Sequence, residues 1–121
     1  MLVNCLAVGV GGFIGSVLRY LCGLLTPETA FPWTTLAINV VGSFVLALVA
    51  GLVLRGVLVD NELSLMLRVG LCGGFTTFST FSLETVNLAS EGAVFGALVY
   101  AVVTVMLCVL AAFAGSWLAR L

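Results

Sequence analysis

The chain alternates long apolar runs with short polar interruptions. Four runs stand out, at about residues 2–25, 33–54, 65–88 and 92–118. Each is close to the roughly 20 residues that carry an α-helix across a bilayer. The first run ends at Thr26-Pro27-Glu28, a turn signal. Pro32 suits a first helical position and Trp33 an interfacial anchor. A polar loop from Arg55 to Ser64 holds Asp60 and Glu62, and Ser90-Glu91 is placed to cap the last run. The connections are short, so the pattern predicts one all-α integral membrane domain over residues 1–121. Its four helices are expected as sequential antiparallel neighbours.

The third run departs from this pattern in its middle. From Gly70 it reads Gly-Leu-Cys-Gly-Gly-Phe-Thr-Thr-Phe-Ser-Thr-Phe-Ser, ending at Ser82. Gly73-Gly74 followed by β-branched Thr76 and Thr77 is a poor helix interior. A mid-membrane break at the glycine pair is therefore expected. It would free carbonyls at one half-helix end and amides at the start of the next, and such backbone survives only when buried or lining a cavity. Freed carbonyls suit a small cation and freed amides an anion. Phe78 and Phe81 share a helix face, with Phe75 expected to continue the row. Ser79 and Thr80 lie between the two rings, and Thr76, Thr77 and Ser82 flank them. Positive ring edges and hydroxyl donors make a coordination set for a small, hard anion without a fixed charge. Hydroxyl oxygens also suit water or a cation, so the row alone does not choose the ion.

Composition narrows the class. The chain is 63% hydrophobic and 7% charged, too few charges to cover a soluble domain. A net charge of −1 without a basic cluster excludes nucleic acid as a partner. There is no histidine, and the four cysteines (Cys5, Cys22, Cys72, Cys108) form no CxxC. They read as small buried hydrophobes. No nucleophile–base or metal constellation is visible, so an enzyme is not expected. The N-terminus lacks the basic region of a signal peptide. Arg55, Arg68 and Arg120 fall on the N-terminal side and Arg19 near the other. This bias leans towards an inside N-terminus but leaves both insertions open.

Outside the third run, Asn39 is the other deep polar group; it can bond a neighbouring helix or offer an amide N–H to an anion. Arg19 can snorkel or line a vestibule. Glu84 is a candidate partner for Arg19 and a candidate proton relay. Small residues recur at four-residue spacing in helices one, two and four, which favours close packing in lipid. On the last helix, Tyr100, Thr104 and Cys108 stay near one face.

Three motifs resemble those of the Fluc (CrcB) fluoride channel family. Gly11-Gly12-Phe13-Ile14-Gly15-Ser16-Val17-Leu18-Arg19-Tyr20 is similar to its GGxxGxxxRY. The stretch from Thr35 to Phe44 is similar to its TLxVNxxGSF, and Gly73 to Ser82 to its GGxTTFSTFS. They occur in family order and spacing, and the four-helix pattern extends the match over nearly the whole chain. The resemblance implies a fluoride-exporting channel of the bacterial inner membrane, built as an antiparallel dual-topology homodimer with two pores. It implies Phe78 and Phe81 as pore phenylalanines, Asn39 as pore asparagine, and Ser79, Thr80, Tyr100, Thr104 and Cys108 on the polar path to fluoride. Arg19 would stand in a vestibule. Gly73 and Thr76 would give backbone carbonyls to a structural sodium ion at the dimer centre. The chain departs from the family pattern at Thr34, where glycine is usual, at Cys108, where serine is common, and at Ala112, which lacks a hydroxyl.

Passive fluoride conduction is the leading expectation, with a proton-coupled fluoride exporter using Glu84 as the alternative. A heterodimer with an oppositely oriented homologue is the alternative assembly. A small multidrug exporter would need an acid in helix one, which offers Arg19 instead. A purely structural membrane subunit leaves the Thr/Ser/Phe motif without a purpose.

Overall fold

A computed structural model describes residues 1–121 and is entirely helical. Helix α1 is Leu2–Leu25 and α2 is Trp33–Leu54. Helix α3 covers 62–75: an α-turn at Glu62–Leu65, a π-helical stretch at Met66–Cys72 and a closing turn at Gly73–Phe75. Helix α4 is Phe78–Ser90 and α5 is Val94–Leu118. Helices α1, α2 and α5 are each long and apolar enough to cross a membrane. Helices α3 and α4 together make the third pass, so the chain is a multi-pass membrane protein with an interrupted third helix.

The ends of the third pass differ from expectation. Asn61 caps α3, accepting from Leu63 N at 3.1 Å and Ser64 N at 3.2 Å, while the Asn61 amide donates to Ser64 Oγ. This capping box starts the helix at Glu62 rather than Leu65. Arg68 pairs with Asp60 at 2.6 Å and ties the loop to the helix. At the far end, Ser90 and Glu91 close α4 instead of capping α5. Gly92, at φ +89, turns the chain, and α5 begins without a side-chain cap. Pro32 stands one place earlier than expected, at the N-cap of α2.

Packing also departs from the expected sequence of neighbours. Consecutive passes do run in opposite directions, but α1 and α2 scarcely touch. The tight pairs are parallel: α1 with α3, and α2 with α5. The cause is where the glycines lie. A Cβ on Gly11 or Gly15 would strike the carbonyl of Met66 or Leu71, and one on Gly74 would lie 2.6 Å from the Gly12 carbonyl. On the second seam, a Cβ on Gly115 would strike the Phe44 carbonyl. Small residues let these backbones meet, and in lipid that contact is the main source of helix association.

Only 17 of 121 residues are buried, so most of the apolar surface is left for lipid or a partner. The buried cluster is Leu36, Phe81, Leu88, Ala97 and Tyr100. It joins α2, α4 and α5.

Gly74→Ala is expected to destabilise the protein by about 1–3 kcal/mol, because the added methyl overpacks the α1–α3 seam. Gly9→Ala, whose Cβ meets nothing within 4 Å, should be neutral or gain up to ~1 kcal/mol from helix propensity. Thermal unfolding of the two variants in detergent checks the contrast.

Candidate functional site

The break in the third pass lies at two threonines, not at the glycine pair. Gly73 has helical torsions (φ −65, ψ −37). Thr76 (φ −78, ψ 156) and Thr77 (φ −153, ψ 115) are extended. Glycine is a weak helix former, but here Gly74 is held helical by its contact with α1. The extended pair is β-branched, which suits that backbone. Phe75 therefore sits on the first half-helix and does not continue the row of Phe78 and Phe81.

Several of the backbone groups exposed by the break have partners. Thr76 N (3.0 Å) and Thr76 Oγ1 (2.8 Å) both donate to the Cys72 carbonyl. Arg19 Nε donates to the Gly74 carbonyl at 3.1 Å. Thr77 N donates to Asn39 Oδ1 at 2.8 Å, and Asn39 Nδ2 donates back to the Thr77 carbonyl at 3.1 Å. One asparagine thus replaces both partners that a continuous helix would have supplied. The Thr77 hydroxyl caps α4 by accepting from Thr80 N at 3.2 Å. In consequence the carbonyls of Gly73, Phe75 and Thr76 lose their α-helical partners, the amides of Thr77, Ser79 and Thr80.

The hydroxyls sort by use. Those of Thr76 and Ser82 are spent on backbone carbonyls of their own pass. Thr77, Ser79 and Thr80 cluster at the start of α4, with oxygens 3.1–3.3 Å apart.

Two cavities flank the break. A groove of about 340 Å³ is lined by Asn39, Ser43, Thr76, Thr77, Phe78, Phe81, Thr104 and Cys108 among others, with no charged side chain. A larger cavity of about 720 Å³ holds Arg19, Thr35, Thr77, Thr80 and Glu84, with Glu28 and Glu91 further out. Thr77 belongs to both walls. In the groove, Phe78 and Phe81 have centroids 5.5 Å apart. Phe81 is buried, whereas Phe78 is 77% exposed. Thr104 Oγ1 is the one buried side-chain polar atom without a hydrogen-bond partner.

The structure thus brings Asn39, Phe78, Phe81, Thr104 and Cys108 to one groove and Arg19 and Thr80 to the other cavity. Ser79 lies on the surface beside Thr77. Tyr100 is fully buried beneath the groove, against Phe31 and Phe81. Its hydroxyl donates to Glu84 Oε2 at 2.7 Å, and Thr35 donates to Glu84 Oε1 at 2.7 Å. Glu84 is therefore not the partner of Arg19; two hydroxyls hold it on α2 and α5. Ser43 also lines the groove, and its place one turn after Asn39 on the same face is legible in the sequence.

Asn39→Ala should leave the Thr77 N–H and carbonyl unpartnered, at about 1–3 kcal/mol for each group. Asn39→Asp keeps an acceptor but loses the donor, so an intermediate loss is expected. Thermal stability in lipid nanodiscs gives the order: wild type, Asp, Ala.

The chain is similar to known proteins over nearly its whole length. The family described as "CrcB-like protein, Camphor Resistance (CrcB)" matches residues 6–116. A protein of Agrobacterium fabrum, named fluoride-specific ion channel FluC, is 43% identical, with 98% of each chain covered. Proteins of the same name from Geobacter sulfurreducens (43% identity, 98% of each chain) and Rhizobium etli (47%, 94% of each chain) are similarly related. With its three motifs, its interrupted third helix and this full-length likeness, the chain belongs to the CrcB family.

Proposed function

We propose that this protein is a fluoride-selective channel of the bacterial cell membrane, conducting fluoride passively out of the cytoplasm. The observation that carries the reading is the orphan Thr104 hydroxyl in a chargeless groove flanked by Phe78 and Phe81. Fluoride is small and strongly hydrated, so a path for it must replace water with donors. The Thr104 hydroxyl is one. The second N–H of the Asn39 amide is another, since one hydrogen is used on Thr77. The positive edges of the two rings add weak attraction. A fixed cation in the groove would hold the ion; weak, successive contacts let it leave. Cys108 offers a weaker donor one turn on. Thr80 and Arg19 meet the ion in the outer cavity. Ser79 joins through its contact with Thr77, and Tyr100 supports the floor under Phe81.

The groove is open on one side, and Phe78 and Gly73 are exposed beside it. Two inverted copies of this chain, meeting at the break, would cover both. The alternative is a related chain of opposite orientation. The weak arginine asymmetry is compatible with insertion both ways. The carbonyls of Gly73 and Thr76, deprived of their usual amides, fit a sodium ion shared across the axis, since unwound backbone carbonyls are suitable ligands for that ion. Bound there, sodium would neutralise the facing carbonyl dipoles; Gly73 and Thr76 would hold it by backbone alone.

A coupled exporter would route protons through Glu84. Both oxygens of that carboxylate already accept short hydroxyl bonds, which gives it the work of fixing Thr35 and Tyr100.

Liposomes loaded with potassium fluoride should release fluoride when valinomycin supplies a path for potassium. Thr104→Val, equal in shape without the donor, should lower the flux by about tenfold or more, in line with losing one donor to a charged group. Phe81→Ile or Phe78→Ile should lower it while leaving the dimer intact on size exclusion. Valinomycin-independent release would refute electrogenic conduction, and full flux through Thr104→Val would remove that hydroxyl from the path.

A further inference from the structure

We infer that Arg19 is a positioning residue for the helix break, in addition to lining the outer cavity, and that the two roles use different atoms of the guanidinium. Its Nε–H caps the Gly74 carbonyl at 3.1 Å, across 55 residues of sequence. Gly74 lies in the last turn of α3, whose carbonyls have no helical amides ahead of them. An arginine at a helix C-terminus satisfies such a carbonyl and complements the negative end of the dipole. Arg19 makes no ion pair. Its terminal nitrogens bond nothing in the chain, and the side chain lines the cavity with Thr80 and Glu84. One face of the group therefore holds the backbone while the rest remains available to an anion.

The cap also determines which carbonyls of the break stay free. Cys72 O is taken by Thr76, Gly74 O by Arg19, and Thr77 O by Asn39. Gly73, Phe75 and Thr76 remain. Arg19 and Asn39 thus act as a pair of clamps, one on each side of the extended threonines. Arg19 belongs to α1 and Asn39 to α2. These two helices barely touch each other, so the break is what fastens them together.

The chain-length match between side chains permits a clean test. Glutamine carries Nε2 at the same number of bonds from Cα as arginine Nε, so Arg19→Gln keeps the donor and deletes the charge. Methionine places a methyl at that position, so Arg19→Met removes both. Hydrogen–deuterium exchange of the 72–77 backbone in nanodiscs reads the clamp directly. Arg19→Gln should retain wild-type protection, and Arg19→Met should lose about tenfold or more, as expected when a helix end frays locally. In liposomes both variants should pass less fluoride at low concentration, for want of the charge. Raising fluoride should restore flux in Arg19→Gln and not in Arg19→Met. This second arm rests on the fluoride reading. If the wild-type protein carries no fluoride, that reading fails while the exchange arm still decides the clamp. Equal protection in the two variants would overturn the proposal. If only Arg19→Met fails to fold, the donor is confirmed as the requirement; if both fail, the charge is what matters and the proposal falls.

Discussion

The double hydrogen bond between Asn39 and the backbone of Thr77 is the constraint on which the rest of the molecule depends. A membrane helix cannot stop and restart at depth unless its freed polar groups find partners inside protein. One side-chain amide has the donor and acceptor needed to satisfy a single extended residue, and it comes from a different pass. With that pair in place, the Thr77 hydroxyl is oriented to cap α4. Phe78 and Phe81 then start the second half-helix facing the groove, and the carbonyls of Gly73, Phe75 and Thr76 are left free at the break. The groove, the ring pair and the free carbonyls all follow from two residues leaving helical geometry.

The glycine seams make this arrangement reachable. They draw α1 against α3 and α2 against α5 as parallel pairs, leaving a division through the subunit that the break bridges. Gly42 takes part, since a Cβ there would strike the Thr76 methyl. The threonine is seated in the space that glycine leaves. A subunit assembled this way has little interior, and it leaves Phe78 and Gly73 uncovered.

Much of this was legible in the sequence. The four passes follow from the apolar runs, and the third pass announces its irregularity through the Gly-Gly and Thr-Thr pairs. What was not legible depended on contacts between distant segments. Propensity alone places the break at Gly73-Gly74, but Gly74 packs against Gly12 and remains helical, so the weak spot moved to the β-branched pair. Charge alone pairs Arg19 with Glu84. In the fold, Arg19 turns to a backbone carbonyl and Glu84 to two hydroxyls, because each lies nearer to an unsatisfied neutral group than to the other. Helical spacing puts Tyr100 in line with Thr104 and Cys108, yet the large ring of Tyr100 fills the core under Phe81 while the smaller two reach the groove.

We propose that this chargeless groove passes fluoride alone, as an ion, without coupling to protons. Electrical recording across a planar bilayer tests it most directly. With a fluoride gradient imposed, the current should reverse at the fluoride equilibrium potential and stay there when a pH gradient or chloride is added. A reversal potential that follows the proton gradient would rule out uncoupled fluoride conduction, and one that follows chloride would rule out selectivity.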